Sequence, residues 1–116
     1  MKFDVEELDG GITLVVLAGQ MDLSGTADID LKFATLAGSK AKMVVDLSGV
    51  TFLASIGIRT LIINAKAMKS RGHRMVLLNP QPAIANVLET TGVDQLIPMV
   101  KDMAAAVARL SPPPQT

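Results

Sequence analysis

Apolar and polar positions alternate along the chain, fall into helical spacing, and alternate again. Phe3-Asp4-Val5 alternates and Ile12-Thr13-Leu14-Val15-Val16-Leu17-Ala18 is rich in β-branched residues, so both predict strands. Asp9-Gly10-Gly11 lies between them, where glycines accept the positive φ of a tight turn, and the whole reads as a β-hairpin. From Ser24 to Leu36 the period changes, with Ile29, Phe33 and Leu36 at i, i+4 and i+7 on one helix face. Ser24 or Thr26 is the expected cap, and Asp28 and Asp30 complement the positive helix end. Met43-Val44-Val45-Asp46-Leu47 predicts a strand buried on both faces, with Asp46 turned towards a loop.

Residues 48–57 read as a loop feeding a second helix, in which Ile58, Leu61, Ile62, Ala65 and Met68 share a face. Gly72 is its expected stop, after Lys69 and Arg71, which suit the negative helix end. Arg74-Met75-Val76-Leu77-Leu78 predicts another buried strand. Pro82 opens a third helix reaching Thr90, with Ile84, Val87 and Leu88 inward and Gly92 as its stop. Leu96 to Val100 predicts a last strand in which Pro98 marks an edge or an end. Asp102 caps a final helix ending near Leu110. The order β-β-α-β-α-β-α-β-α predicts a single α/β domain over residues 1–110. Its sheet is mixed and mostly parallel, opened by an antiparallel N-terminal hairpin. Residues 111–116 read as a disordered, Pro-rich tail.

Composition removes most kinds of chemistry. The chain has 116 residues and is 49% hydrophobic, enough for one core without a disulfide or a metal. With no Cys and one His, thiol catalysis, iron–sulfur ligation and a His or thiolate metal site are excluded. Eleven basic residues balance 11 acidic ones, and the only aromatics are three Phe, so no nucleic-acid partner is expected. Met1 to Glu7 lacks a signal-peptide core, and Arg59 and Lys66 interrupt the most apolar stretch. No membrane insertion and a cytoplasmic location are therefore expected. There is no P-loop, Gly10-Gly11 precedes a strand rather than a helix, and His73 has no nucleophile elbow beside it. No nucleophile, base and stabiliser can be assembled, so neither an enzyme nor a cofactor is expected.

Ser55 is the informative position. It stands at a strand-to-helix junction, where backbone N–H groups lack intrahelical partners and favour an anionic oxygen cluster. A phosphate on Ser55 brings about −1.5 to −2 charges to a chain of zero formal charge. The same placement suits a plain helix cap, and spacing alone favours the cap.

A resemblance bears on that choice. Val44-Val45-Asp46-Leu47-Ser48-Gly49-Val50-Thr51-Phe52-Leu53-Ala54-Ser55-Ile56-Gly57-Ile58 resembles the signature of the bacterial anti-sigma factor antagonists, small single-domain STAS proteins. That signature places a buried strand before Asp-Ser-Ser/Thr-Gly-Leu. Leu17-Ala18-Gly19-Gln20-Met21-Asp22 is similar to the family's Leu-x-Gly-Glu-Leu-Asp, and Leu88-Glu89-Thr90-Thr91-Gly92-Val93 to its Leu-Phe-x-x-Ser/Thr-Gly-Leu. The resemblance implies a partner switch. The unphosphorylated form binds an anti-sigma factor serine kinase and frees the sigma factor, phosphorylation releases it, and a serine phosphatase resets the cycle. It implies Ser55 as phosphoacceptor, Asp22 beside it, and Gly57 as the glycine that lets the helix start pack closely. The expected docking surface is Asp22, Ala54, Ser55, Ile56, Gly57 and Arg59. Two positions depart from the signature, Ala54 for its Asp and Ile56 for its second Ser or Thr. The alternative is a non-switching STAS scaffold subunit that binds a protein or lipid-transport partner constitutively, with Ser55 only a helix cap.

Overall fold

Two consecutive residues of positive φ, Gly10 (81°) and Gly11 (75°), reverse the chain between β1 (Lys2–Leu8) and β2 (Ile12–Met21). Glycine takes up that pair of angles without strain, and the antiparallel register from Leu8↔Ile12 to Lys2↔Ala18 follows. The computed structural model describes residues 1–111, so the part of the expected tail from Pro112 onward lies outside the described residues. After β2 come α1 (Leu23–Ser39), β3 (Lys42–Leu53), α2 (Ser55–Lys69), β4 (Arg74–Leu78), α3 (Pro82–Thr90), β5 (Met99–Val100) and α4 (Met103–Leu110). One 3-10 turn, Val93–Gln95, joins α3 to β5. The sheet order is β1-β2-β3-β4-β5, antiparallel only at the opening hairpin. This is the predicted order in a single mixed sheet.

Because the parallel strands advance in one direction, right-handed crossovers place α1, α2 and α3 on the same face. Ile29 and Phe33 of α1, Leu61 and Met68 of α2, and Ile84 and Leu88 of α3 share one core. Val15, Leu17, Met43, Val45, Met75 and Leu77 meet them from the sheet. The alternate strand positions, Ile12, Val44, Val76 and Leu78, face Ala106 and Leu110 of α4 on the other side. Asp102 caps α4 as expected, its Oδ1 accepting the Ala105 N–H at 2.8 Å. Glu7 pairs with Lys40 at 3.1 Å, and this bond holds its exposed carboxyl below the usual range.

Two strands differ from expectation. β3 was expected to end at Leu47 but continues to Leu53. Its register against β2 slips twice, from Val16↔Asp46 to Ala18↔Gly49 and from Gly19↔Val50 to Gln20↔Phe52. Each slip inserts an extra residue in β3, which breaks the two-residue period and makes a bulged strand read as a loop. At the first slip Asp46 turns its carboxylate onto its own chain, accepting the Ser48 N–H at 2.9 Å. β5 was expected from Leu96 but begins at Met99. Extending the Leu77↔Met99 register backwards requires an N–H from Pro98 to the Met75 carbonyl, and proline has none. Leu96 is accordingly exposed.

Arg71, expected at the negative end of α2, serves that of α1 instead. Arg71 donates from its guanidinium to the carbonyls of Ala37 and Gly38, in the last turn of α1. A cation there satisfies orphan carbonyls and the negative helix end together. Arg71→Ala is expected to lower stability by about 1–2 kcal/mol in urea titration, with Arg71→Lys recovering only part of it.

Candidate functional site

β2 and β3 end side by side. Met21 pairs with Leu53, and the Ala54 N–H donates to the Met21 carbonyl at 3.0 Å. Each strand runs into a helix within two residues, so α1 and α2 begin next to one another at the C-terminal ends of the strands. Neither start tolerates a side chain at its point of contact. A Cβ on Gly25 would stand 1.9 Å from the Gln20 carbonyl oxygen. One on Gly57 would stand 2.9 Å from Met21 Cβ and 3.0 Å from its carbonyl oxygen. Gly57 is therefore buried, and it shapes the site by letting α2 approach.

The cap of α1 is Asp22, not Ser24 or Thr26. Its Oδ1 accepts the Gly25 N–H at 2.7 Å, and its carbonyl accepts the Thr26 N–H at 2.9 Å. Helix geometry begins at Leu23, so Ser24 and Thr26 already lie inside the first turn. Asp22 is half-buried and committed to this cap on one oxygen.

At α2 the cap is Ala54, which has no side-chain acceptor to offer. Its carbonyl accepts the Gly57 and Ile58 N–H groups at 3.0 and 3.1 Å. The N–H groups of Ser55 and Ile56 have no partner among the described residues. Ser55 is the first helical residue, exposed, and its hydroxyl makes no hydrogen bond among the described residues. The helix-cap reading of Ser55 is thereby removed. Ile56 is 36% exposed and so does not pack inward. Arg59 is exposed one turn further on, without a salt bridge among the described residues.

Two apolar residues at this end escaped the sequence reading. Leu23, the first residue of α1, is 74% exposed, and Phe52, at the end of β3, is 49% exposed. Leu23 falls off the buried stripe of Gly25, Thr26, Ile29, Phe33 and Ala37. Phe52 is turned out by its alternation with Leu53, which becomes readable only once β3 is known to extend that far. No group of acidic or His side chains that could hold a metal is present among the described residues.

A family model described as the STAS domain matches residues 3–106. The chain belongs to the STAS family. This STAS domain is 24% identical over 95 residues to the anti-sigma F factor antagonist of Lysinibacillus sphaericus, covering 80% of this chain and 81% of that one. It is similar to a crystal structure of an anti-sigma factor antagonist from Mycobacterium paratuberculosis, with a TM-score of 0.83, 24% identity, and coverage of 94% of this chain and 92% of that one. The Bacillus cell fate determinant SpoIIAA in its phosphorylated form matches with a TM-score of 0.71 and 20% identity, over 95% of this chain and 100% of that one. These likenesses establish the fold that the STAS domain shares with them. No helix among its described residues is long and apolar enough to cross a membrane.

Two substitutions test the local account. Asp22→Ala is expected to cost about 0.5–2 kcal/mol and Asp22→Asn to stay near wild type, since Asn caps as well. Gly57→Ala is expected to lose about 1–3 kcal/mol by overpacking, although helix propensity alone predicts a gain of about 1 kcal/mol. The sign of the change in a denaturant titration separates the two.

Proposed function

We propose that this STAS domain is an anti-sigma factor antagonist whose docking surface is switched by phosphorylation of Ser55. The observation that carries the reading is the exposed Ser55 hydroxyl on the first residue of α2, beside two backbone amides, all three without partners among the described residues. The names of the relatives support it. The unphosphorylated chain docks on a cognate anti-sigma serine kinase and frees the sigma factor. Asp22, Ala54, Ser55, Ile56 and Arg59 form the contact, Gly57 sets its shape, and Leu23 and Phe52 extend it with apolar surface.

The kinase supplies ATP and the base. Ser55 Oγ attacks the γ-phosphorus, the bond to ADP breaks, and the hydroxyl proton passes to the kinase's base. The phosphoserine then carries about −1.5 to −2 charges. At the surface of the free protein that charge is well placed, because the unpartnered amides of the helix start favour it. Arg59, four residues on, lies on the same side of the helix to pair with it. Ala54 puts no carboxylate beside it. Inside the docked complex the same dianion is pressed among Ile56, Leu23 and Phe52, and its desolvation costs several kcal/mol. At about 1.4 kcal/mol per tenfold in affinity, that cost dissociates the complex. A serine phosphatase hydrolyses the ester and restores binding. The cycle draws on the kinase's ATP and acts on a sigma factor, so the proposed place of action is the cytoplasm, where both are found.

The test compares wild type, Ser55→Ala and Ser55→Asp for affinity to the serine kinase that co-purifies from the native cell. Wild type and Ser55→Ala are expected to bind alike, and Ser55→Asp about tenfold or more weakly. Equal affinity of all three contradicts the switch and favours a scaffold that binds its partner constitutively.

A further inference from the structure

At the end of α2 opposite Ser55, the edge of β4 opens onto a groove of about 960 Å3. α2 forms one wall and α4 the other, since these helices lie on opposite faces of the sheet. The floor is the sheet edge itself. Along β4 the backbone groups alternate in direction. The Arg74 N–H donates to the Ala41 carbonyl at 3.0 Å on the β3 side, and the Leu77 N–H to the Pro98 carbonyl at 2.9 Å on the β5 side. Met75 shares the direction of Leu77, so its N–H and C=O point away from β3 and into the groove. β5 does not reach them: Pro98 has no N–H to give the Met75 carbonyl, and the Leu96 carbonyl does not accept the Met75 N–H. Among the described residues they have no partner. An unpaired edge recessed between helices is a ready template for an added strand.

The rim has one sign of charge. Lys66, Lys69, Arg74 and Arg109 line the groove together with His73, and no carboxylate of the described residues does. None of the four cations is in a salt bridge among the described residues. His73 Nδ1 is buried there without a partner among the described residues. A net charge of zero over the whole chain therefore hides a local concentration of cations.

We propose that this groove takes an extended, acidic peptide segment of a partner protein, added as a strand to the β4 edge. Its backbone pairs with the N–H and C=O of Met75, its carboxylates meet the rim cations, and its intervening apolar side chains pack on Ile62, Ala65 and Pro98. An anionic lipid surface satisfies the cations but not the recessed Met75 backbone, which favours the peptide. The chain's own Pro112, Pro113 and Pro114 have no N–H to donate and do not meet the requirement. The proposal does not depend on Ser55, and each reading stands or fails alone.

The test titrates the full 15N-labelled chain with acetyl-Glu-Val-Glu-Val-Glu-Val-amide, its Gln counterpart, a form N-methylated at the central valine, and phosphatidylglycerol vesicles. The acidic peptide is expected to shift the Met75 and Val76 amide resonances and to slow exchange of the Met75 amide. Its affinity is expected to fall about tenfold with the Gln peptide, with N-methylation and in the double variant Lys66→Glu, Lys69→Glu, both positions being exposed. Shifts centred on Ser55 to Arg59, an affinity unchanged by charge reversal or N-methylation, or binding to vesicles without binding to the peptide would overturn the proposal.

Discussion

Two helices begin against the end of one strand, and neither does so with a side chain at the point of contact. Gly25 seats α1 on Gln20 and Gly57 seats α2 on Met21, at separations that a Cβ would violate. This approach determines what the site presents. The Ala54 amide is consumed by Met21, so the cap falls on a residue with no polar side chain. The next two amides have no partner among the described residues, and Ser55 is exposed at the start of the helix. Had the glycines been larger, α2 would sit away from the sheet and the backbone groups would lose their fixed orientation. In the proposed switch a phosphate on Ser55 is favoured by this main-chain geometry, with Arg59 the basic side chain one turn away.

Much of the fold was legible in the pattern of apolar positions, for a simple reason. Each of α1, α2 and α3 buries one stripe on one face of a sheet, so a period of 3.6 reports directly on Ile29 and Phe33, Leu61 and Met68, and Ile84 and Leu88. The errors fall where a residue's role depends on a partner distant in sequence. The extra residues of β3 disturb alternation only through their register with β2. Pro98 shortens β5 because it has no N–H for the Met75 carbonyl, a partner that only the register with β4 reveals. Asp22 was noticed for its place in a motif, while its capping role needed the helix to begin at Leu23. Ser55 was legible as a hydroxyl at a junction, but cap and free hydroxyl are told apart only by which residue holds the cap position.

The two ends of α2 also carry different chemistry. Its first turn offers backbone amides, an apolar side chain in Ile56 and a lone cation in Arg59. Its last turns offer Lys66 and Lys69 to a groove whose remaining cations come from β4 and α4. Arg109 joins that group only through the tertiary fold, so the sequence around Lys66 and Lys69 does not show the full cluster. One surface suits control by an added charge, the other suits attraction of a charge already present.

The account rests on a single hydroxyl accepting a phosphoryl group in the living cell. Peptide mass mapping of the protein isolated from its own cells, with phosphatases inhibited and across growth conditions, measures this directly. The account predicts an addition of about 80 Da confined to the peptide that contains Ser55 and removed by phosphatase treatment. A phosphate carried on another side chain while Ser55 stays bare, or a Ser55 peptide unmodified under every condition, would contradict it.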